Sequence, residues 1–555
     1  MHKSAALAST PLFHTNSTFL SSHDRVALSY DRTRAIGALH ALSAQDILTV
    51  SPKYWEYLRD PIHVMDGAAA TLLTIHLNLC IGTIAMFPEG KEQLLKRLLA
   101  FELSGQYCLT EVGHGLDAYH LETTATLLPT GELEINTPNE AAAKYMPPTT
   151  PAGLPGIAVV FARLLVNGQD RGVKPVLVPL HDGRKMHPGV ISKLLSPRGG
   201  SGPVDHALTY FRHVRVPGSS LLGSLEKGAD PKGTFAHNIF RVVVGTLGMG
   251  TVALSMMRIA SYIATKYSMR RIVVDSFTGK PKPIMAFSTQ KTPVLTAIAQ
   301  TLVMDAYCTK VHQLWSTGGS SLQQHFVAAV WKATIVPHSL SILSSLGDRC
   351  GAQGLFEVNQ ISMMHADVRG ASIAEGDTLG ISIRFAIELI LGKVTPAPYL
   401  NPGSLLSRHE QQWLSELRSI VKGSKTHRSN AIESSILPRC QELLQAVGHR
   451  IAVDAAVELG VDPAVVDLYV ASVVKQDSAW YSENLGLTQE KQRRMERDAV
   501  DALYPKLESL LEKLAIADYV NAPIVSDEAW VSHVRELPVF QSGKAAVEDS
   551  VQSRL

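Results

Sequence analysis

The sequence predicts an α+β protein, mostly α. The expected parts are an N-terminal helical domain, a central β-barrel-like domain, a helical bundle and an extra C-terminal helical domain. Three observations carry this. The 555 residues exceed what one hydrophobic core accommodates, so several domains are expected. Hydrophobic residues make up 45% and charged residues 18%, the composition of a soluble globular chain. The apolar pattern also changes along the chain, from helical spacing to short strand-like runs and back to helical spacing.

Residues 1–106 read as helical. In 91–103 the leucines Leu94, Leu95, Leu98 and Leu99 share one face, with charges opposite. Residues 107–225 read as β, because short runs such as 157–161, 176–180 and 207–216 alternate with glycine and proline clusters. Loops are marked by Pro147, Pro148, Pro151 and Pro155 and by Pro197-Arg-Gly-Gly-Ser-Gly-Pro203. Helical patterns resume near Asn238, and 235–394 read as a bundle; the glycines of Gly245-Thr-Leu-Gly-Met-Gly250 lie in this context and suit close helix packing. Thr395-Pro-Ala-Pro-Tyr-Leu-Asn-Pro-Gly403 is a linker. Beyond it, 405–540 form the C-terminal helical domain. Asp462-Pro463 is an N-cap and first-turn pair opening a helix that carries Val465, Val466, Tyr469, Val470, Val473 and Val474. A charged helix over 489–514 should kink or end near Pro505. Residues 541–555 read as a flexible polar tail.

Bulk properties exclude several classes. A net charge of +2 gives no broad electrostatic case for nucleic acid or an anionic membrane. Five dispersed cysteines (Cys80, Cys108, Cys308, Cys350, Cys440) argue for a reducing compartment and against a disulfide framework or a zinc site, and no metal is expected. The uncharged runs 67–87 and 242–257 read as buried helices rather than membrane spans, and residues 1–22 lack the apolar core of a secretory signal. Neither HExxH, nor a G-x-S-x-G elbow, nor a GxxxxGK[ST] loop occurs. The final Ser553-Arg554-Leu555 is a conservative variant of the Ser-Lys-Leu peroxisomal address, so a peroxisomal location is expected, and a cytoplasmic one otherwise.

The most informative stretch is Tyr107-Cys-Leu-Thr-Glu-Val-Gly-His-Gly-Leu116, followed by Leu121-Glu-Thr-Thr-Ala-Thr126. Glycines, a histidine and the Thr110 hydroxyl in one turn let backbone N–H groups and a side chain approach a flat polar ligand closely. The stretch resembles the flavin-contacting loop of the acyl-CoA oxidase branch of the acyl-CoA dehydrogenase superfamily. That resemblance implies FAD, with Thr110 and neighbouring amides, Gly115 included, at the edge of the flavin ring. Ile135-Asn-Thr-Pro138 with Lys144-Tyr145-Met146-Pro147 resembles the family's Lys-Trp-Trp-Pro-Gly segment. Here Tyr145 and Met146 take the tryptophan positions, where an aromatic and a polarisable side chain can still flank a flavin. Pro148 takes the position of a flavin-contacting glycine.

Tyr267-Ser-Met-Arg-Arg271 and Phe287-Ser-Thr-Gln290 resemble the segments whose Arg and Gln hold the FAD diphosphate and adenine half, often across a dimer interface. The roles carry to Arg271 and Gln290, and a homodimer or higher homo-oligomer is implied. A planar, permanently charged guanidinium suits a diphosphate; without the flanking match, Arg270 and Arg271 would read as a solvated helix end. Gly370-Ala-Ser-Ile-Ala-Glu375-Gly376-Asp377-Thr378 resembles the segment that carries the family's catalytic base, and it follows Cys350-Gly-Ala-Gln-Gly-Leu355, a weaker version of another family motif. Glu375 is thus the expected base, although an Ala-Glu-Gly-Asp stretch alone reads as a helix cap. Ala374 replaces the family's aromatic residue before the base, and Thr378 its asparagine, which implies a reshaped acyl pocket.

The activity implied is α,β-dehydrogenation of an acyl-CoA, or another acyl thioester, to the trans-enoyl thioester. Glu375 would take the α-proton and the β-hydrogen would leave as hydride to flavin N5, with O2 then giving hydrogen peroxide. Two alternatives stay open: a dehydrogenase-type enzyme passing electrons to a partner, in specialised metabolism, and a catalytically degenerate structural or interaction subunit.

Overall fold

The structure is a computed structural model describing residues 2–422, 430–540 and 542. Apart from residue 542, the expected tail with Ser553-Arg554-Leu555 lies outside the described residues. The chain divides into two compact units, Ala6–Gly245 and Thr246–Leu555 with Met1–Ala5. The expected N-terminal helical and β domains share the first unit, and the bundle and C-terminal helices share the second.

In the first unit, buried charges tie the helices together. Asp66 caps the helix Gly67–Leu73 by accepting from the Ala69 N–H, and its other oxygen pairs with Arg32 at 3.0 Å. The apolar run continues as a π-helix, Thr74–Ile81, and a short α-helix, Gly82–Ala85. Arg241 donates to the backbone and side-chain oxygens of Asn78 within it. The helix Glu92–Leu99 is shorter than the sequence pattern suggested. Phe101 takes a left-handed φ of 54°, stacks its ring on His76 and turns the chain into a strand before residue 106.

The strands are β1 (Ser104–Cys108), β2 (Thr124–Leu127), β3 (Leu133–Asn136), β4 (Lys144–Tyr145), β5 (Gly156–Val166), β6 (Gln169–His181), β7 (Val190–Leu194), β8 (Ala207–Phe211) and β9 (Val214–Val216). β5 organises a curled six-stranded sheet: β1 and β2 lie parallel to successive parts of it, and β6 pairs with it antiparallel. β5 and β6 are joined through Asn167 and Gly168, both at positive φ, the conformation that a two-residue hairpin turn demands. β3 and β9 extend the sheet, while β4, β8 and β7 form a second, three-stranded one. The near-continuous apolar run of β5 is buried with Val176, Val178 and Leu180 of β6, as a central strand requires.

The second unit is helical. Long helices Ser288–Ser316, Ser321–Arg349 and Cys440–Glu458 pack together with Thr378–Ile390, and the chain enters them through Arg241–Arg270. Gly250 is a close-packing position, since a Cβ there would lie 2.4 Å from the Trp331 indole nitrogen. Asp462 caps Pro463–Val474 through the Ala464 N–H, as expected. The chain around Pro505 becomes a 3-10 turn between Gln489–Leu503 and Leu507–Leu514. One element was not foreseen: an antiparallel hairpin, Ile272–Val274 with Pro281–Pro283, interrupts the helices.

Among the described residues, three helices are long and apolar enough, by length and composition, to cross a membrane: Gly67–Ala85, Arg241–Arg270 and Ser321–Arg349. Their most apolar windows are 78%, 83% and 78% buried inside the protein, in that order.

Candidate active site

The loop after β1 is built on a buried ion pair. Lys144 and Glu111 are both fully buried and meet at 2.9 Å. The Glu111 carboxylate also accepts from the N–H groups of Glu122 and Thr123, and the Lys144 ammonium also donates to the carbonyls of Phe161 and Leu109. Burial would raise the Glu111 pKa, but Lys144 and the N–H donors together hold it below the usual carboxylate range. Burial depresses the Lys144 ammonium despite Glu111.

Thr110 binds the Tyr145 N–H through its carbonyl, at 2.9 Å, which places its residue beside β4. Val112, Leu116 and Tyr145 are exposed apolar side chains, Leu116 to 82%. The two glycines differ. A Cβ on Gly113 would lie 2.9 Å from the Ala141 Cβ, so packing within the unit demands glycine there. A Cβ on Gly115 would meet nothing within 4 Å. Gly115 is therefore not required by the chain's own packing. Among the described residues the buried His114 Nδ1 has no hydrogen-bond partner, while Nε2 contacts Glu122 at 3.1 Å.

In the second unit, Glu375 sits in a four-residue turn between the helices Ile361–Ile373 and Thr378–Ile390. It is half-buried, with φ 54°, and Gly376 follows at φ 93°. It does not cap the following helix: Asp377 does, accepting from the Gly380 N–H at 2.9 Å. A left-handed conformation costs a non-glycine residue roughly 1–2 kcal/mol. Side chains from two helices hold it. Lys332 donates to the carbonyls of Ala374 at 2.6 Å and Gly376 at 2.7 Å, and Thr246 Oγ1 donates to the Glu375 carbonyl at 2.5 Å. Burial pushes the Lys332 ammonium down to about 8, against the pull of Glu375 and Asp377. Lys332 and Thr246 escaped the sequence reading. The available signal was a lone lysine in the apolar run Val327-Ala-Ala-Val-Trp-Lys332-Ala-Thr-Ile-Val336.

Arg271 and Gln290 meet at one corner of this unit. Arg271 follows the helix Arg241–Arg270, its carbonyl accepts from Ile284 N–H, and Gln290 lies in the first turn of Ser288–Ser316. The two adjacent arginines have different work. Arg270 binds Asp527 at 2.6 Å and the Ile524 carbonyl, tying the helix to the C-terminal segment. Arg271 is exposed and makes no ion pair among the described residues. Gln290 is buried, and its amide nitrogen donates to Ser268 Oγ and the Arg349 carbonyl, which leaves its oxygen as the group available to a ligand.

Comparison with known proteins gives this arrangement its class. The structure of acyl-CoA oxidase 1 from Yarrowia lipolytica matches 99% of this chain and 92% of its own, with TM-score 0.83 and 16% identity. Acyl-CoA oxidase-1 of Caenorhabditis elegans, solved in complex with FAD and ATP, matches 99% of this chain and 92% of its own, with TM-score 0.80 and 17% identity. The fold is therefore that of the acyl-CoA oxidases. Residues 241–390 match the family described as acyl-CoA oxidase, C-alpha1 domain, the segment that holds Arg271, Gln290 and Glu375. Sequence relatives agree. Human peroxisomal acyl-coenzyme A oxidase 3 is 25% identical over 410 residues, 67% of this chain and 57% of its own length. Peroxisomal acyl-coenzyme A oxidase 3 of Arabidopsis thaliana is 22% identical over 337 residues, 57% of this chain and 49% of its own. The chain thus spans about half the length of the curated relatives it matches.

Proposed function

We propose that this chain is an FAD-dependent acyl-CoA oxidase that converts an acyl thioester to its α,β-unsaturated product. The observation that carries the reading is Glu375, a carboxylate held on a fixed turn within the segment that matches the oxidase C-alpha1 domain.

The residues present fit the cofactor. The exposed apolar side chains of Val112, Leu116 and Tyr145 suit a flat ring, and the open space at Gly115 admits close approach. Thr110 and Gly115 take the ring edge in this reading, and Tyr145 packs against the ring. Arg271, with no ion pair among the described residues, takes the diphosphate, while Gln290 offers its side-chain oxygen to the adenine half. FAD, when bound, supplies a two-electron acceptor for hydride.

The protein's part is proton chemistry. An α C–H beside a thioester carbonyl is a weak acid, and a carboxylate removes it usefully only when well placed and partly desolvated. Glu375 takes the α-proton onto a carboxylate oxygen, while the β-hydrogen departs with its electron pair and the carbon–carbon double bond forms. Ala374, smaller than an aromatic side chain, leaves room for a bulky or branched acyl group. Relatives named oxidases support O2 as the final acceptor, and relatives named peroxisomal support that location, which the Ser553-Arg554-Leu555 end would direct.

The test is anaerobic mixing of FAD-loaded protein with acyl-CoAs of graded chain length, followed by admission of air. Loss of the oxidised flavin absorbance and then stoichiometric peroxide are expected. Loss of absorbance without peroxide in air would refute the oxidase assignment, and no absorbance change with any chain length would refute the dehydrogenation chemistry. Fluorescently tagged protein is expected to leave peroxisomes on deletion of the last three residues.

A further inference from the structure

Reading Glu375 as the base leaves Lys332 unexplained. Its side chain is fully buried in the middle of a helix, where an ammonium is costly unless strongly bonded. Instead of a carboxylate, it meets two backbone carbonyls, 42 and 44 residues further along the chain, on either side of Glu375. Thr246 supplies the third donor, to the carbonyl of Glu375 itself.

Peptide groups are rigid planes, and a residue's φ and ψ describe the rotation between neighbouring planes. The Ala374 carbonyl fixes the plane entering Glu375, and the Glu375 carbonyl fixes the plane leaving it. The Gly376 carbonyl fixes the plane after that. Three donors on three consecutive carbonyls therefore determine the conformation of Glu375 and Gly376, and with it the direction of the Glu375 Cα–Cβ bond. No regular helix or strand would hold these residues there, because φ is positive at both.

We propose that Lys332 is a positioning residue for Glu375, aiming its carboxylate by clamping the peptide planes around it, with Thr246 as the third point of the clamp. This rests on the reading of Glu375 as the base. In this reading Lys332 acts through the carbonyls of Ala374 and Gly376, not on the substrate. A helix in the bundle thereby sets the geometry of proton abstraction from within the core.

The test separates proton abstraction from the rest of turnover. FAD-loaded full-length protein is mixed, in deuterated buffer, with an acyl-CoA analogue that has sulfur in place of the β-carbon. That analogue has no β-hydrogen to lose, so exchange of its α-protons, followed by NMR, reports the base alone. Lys332→Met keeps the shape and removes both donors. It is expected to slow exchange by about a hundredfold, the scale of an ångström's misplacement, with analogue affinity and FAD content unchanged. Lys332→Gln, a neutral donor, is expected to recover part of the loss, a rescue that a purely space-filling role would not require. Thr246→Val is expected to slow exchange roughly tenfold on the same argument. Wild-type exchange in Lys332→Met, or a loss confined to analogue affinity, overturns the proposal. Should Lys332→Met fail to fold, wild-type exchange in a Thr246→Val protein of native melting temperature overturns it. Glu375→Gln is the control. Exchange that persists there refutes the base itself, whereas exchange lost there and intact in Lys332→Met refutes only the clamp.

Discussion

Replacing Lys144 by Met tests how the loop carrying Thr110 and Gly115 is held. The change leaves the fully buried Glu111 without its ammonium partner and strips the carbonyls of Phe161 and Leu109 of a donor. Breaking one half of a buried pair typically costs about 3–5 kcal/mol, because the remaining charge stays desolvated. Two backbone N–H groups still reach Glu111, which favours the lower part of that range. Each kcal/mol shifts the melting temperature of a unit this size by roughly 2–4 °C, so a drop near 10 °C is expected. Thermal unfolding followed by circular dichroism measures the drop, and urea unfolding the free-energy loss. Adding Glu111→Gln to Lys144→Met should restore most of the loss, because no charge is then left buried. The pH dependence has a defined sign. The folded-state pKa of Glu111 is depressed, so its contribution is present above the unfolded value near 4.3 and is lost as pH falls through the folded value. In Lys144→Met the folded value rises, so the destabilisation relative to wild type should shrink as pH falls and Glu111 takes up a proton. A destabilisation below about 1 kcal/mol, the range of an exposed pair, or a double variant no better than the single one, would refute the reasoning.

Two further perturbations discriminate neighbouring residues. Gly115→Ala should leave the melting temperature unchanged, since a Cβ there meets nothing, yet weaken FAD binding; Gly113→Ala should lower stability through its contact with Ala141. Equal effects of the two on melting temperature would contradict the assignment of Gly115 to a ligand. Arg271→Ala should weaken FAD binding about tenfold or more, the scale of a charge-assisted hydrogen bond, without altering stability. Arg270→Ala should instead loosen the contact with Asp527 and Ile524 and leave FAD affinity alone. Fluorescence titration of apoprotein with FAD, beside thermal melts, reads both pairs.

Much of the fold was legible because local rules set it. The Asp462-Pro463 cap, the break at Pro505 and the strand-like runs of β5 and β6 all stand where side-chain chemistry and spacing put them. What escaped depends on partners distant in sequence. β1, Ser-Gly-Gln-Tyr-Cys, has no apolar alternation, and it becomes a strand because β5, some fifty residues later, offers it a parallel edge. The hairpin at Ile272 contains two prolines, which read as loop until a partner strand is present. For the candidate site, the motifs pointed to Thr110, Arg271, Gln290 and Glu375, but not to what holds them. Lys332 lies within a helix whose apolar pattern reads simply as core, and its carbonyl partners follow from the tertiary fold alone. Similarly, nothing in the pair Arg270-Arg271 distinguishes the arginine that braces the C-terminal segment from the one that stays exposed.

The most direct measurement is rapid anaerobic mixing of an acyl-CoA, one that reduces the wild-type protein, with FAD-loaded wild type and Glu375→Gln while the flavin absorbance is followed. Wild type should lose its oxidised absorbance within turnover time. Glu375→Gln should bind FAD and the thioester yet keep that absorbance, with reduction slowed by at least several powers of ten, because the amide cannot accept the α-proton. Reduction of Glu375→Gln at a rate near wild type would contradict the account at its centre.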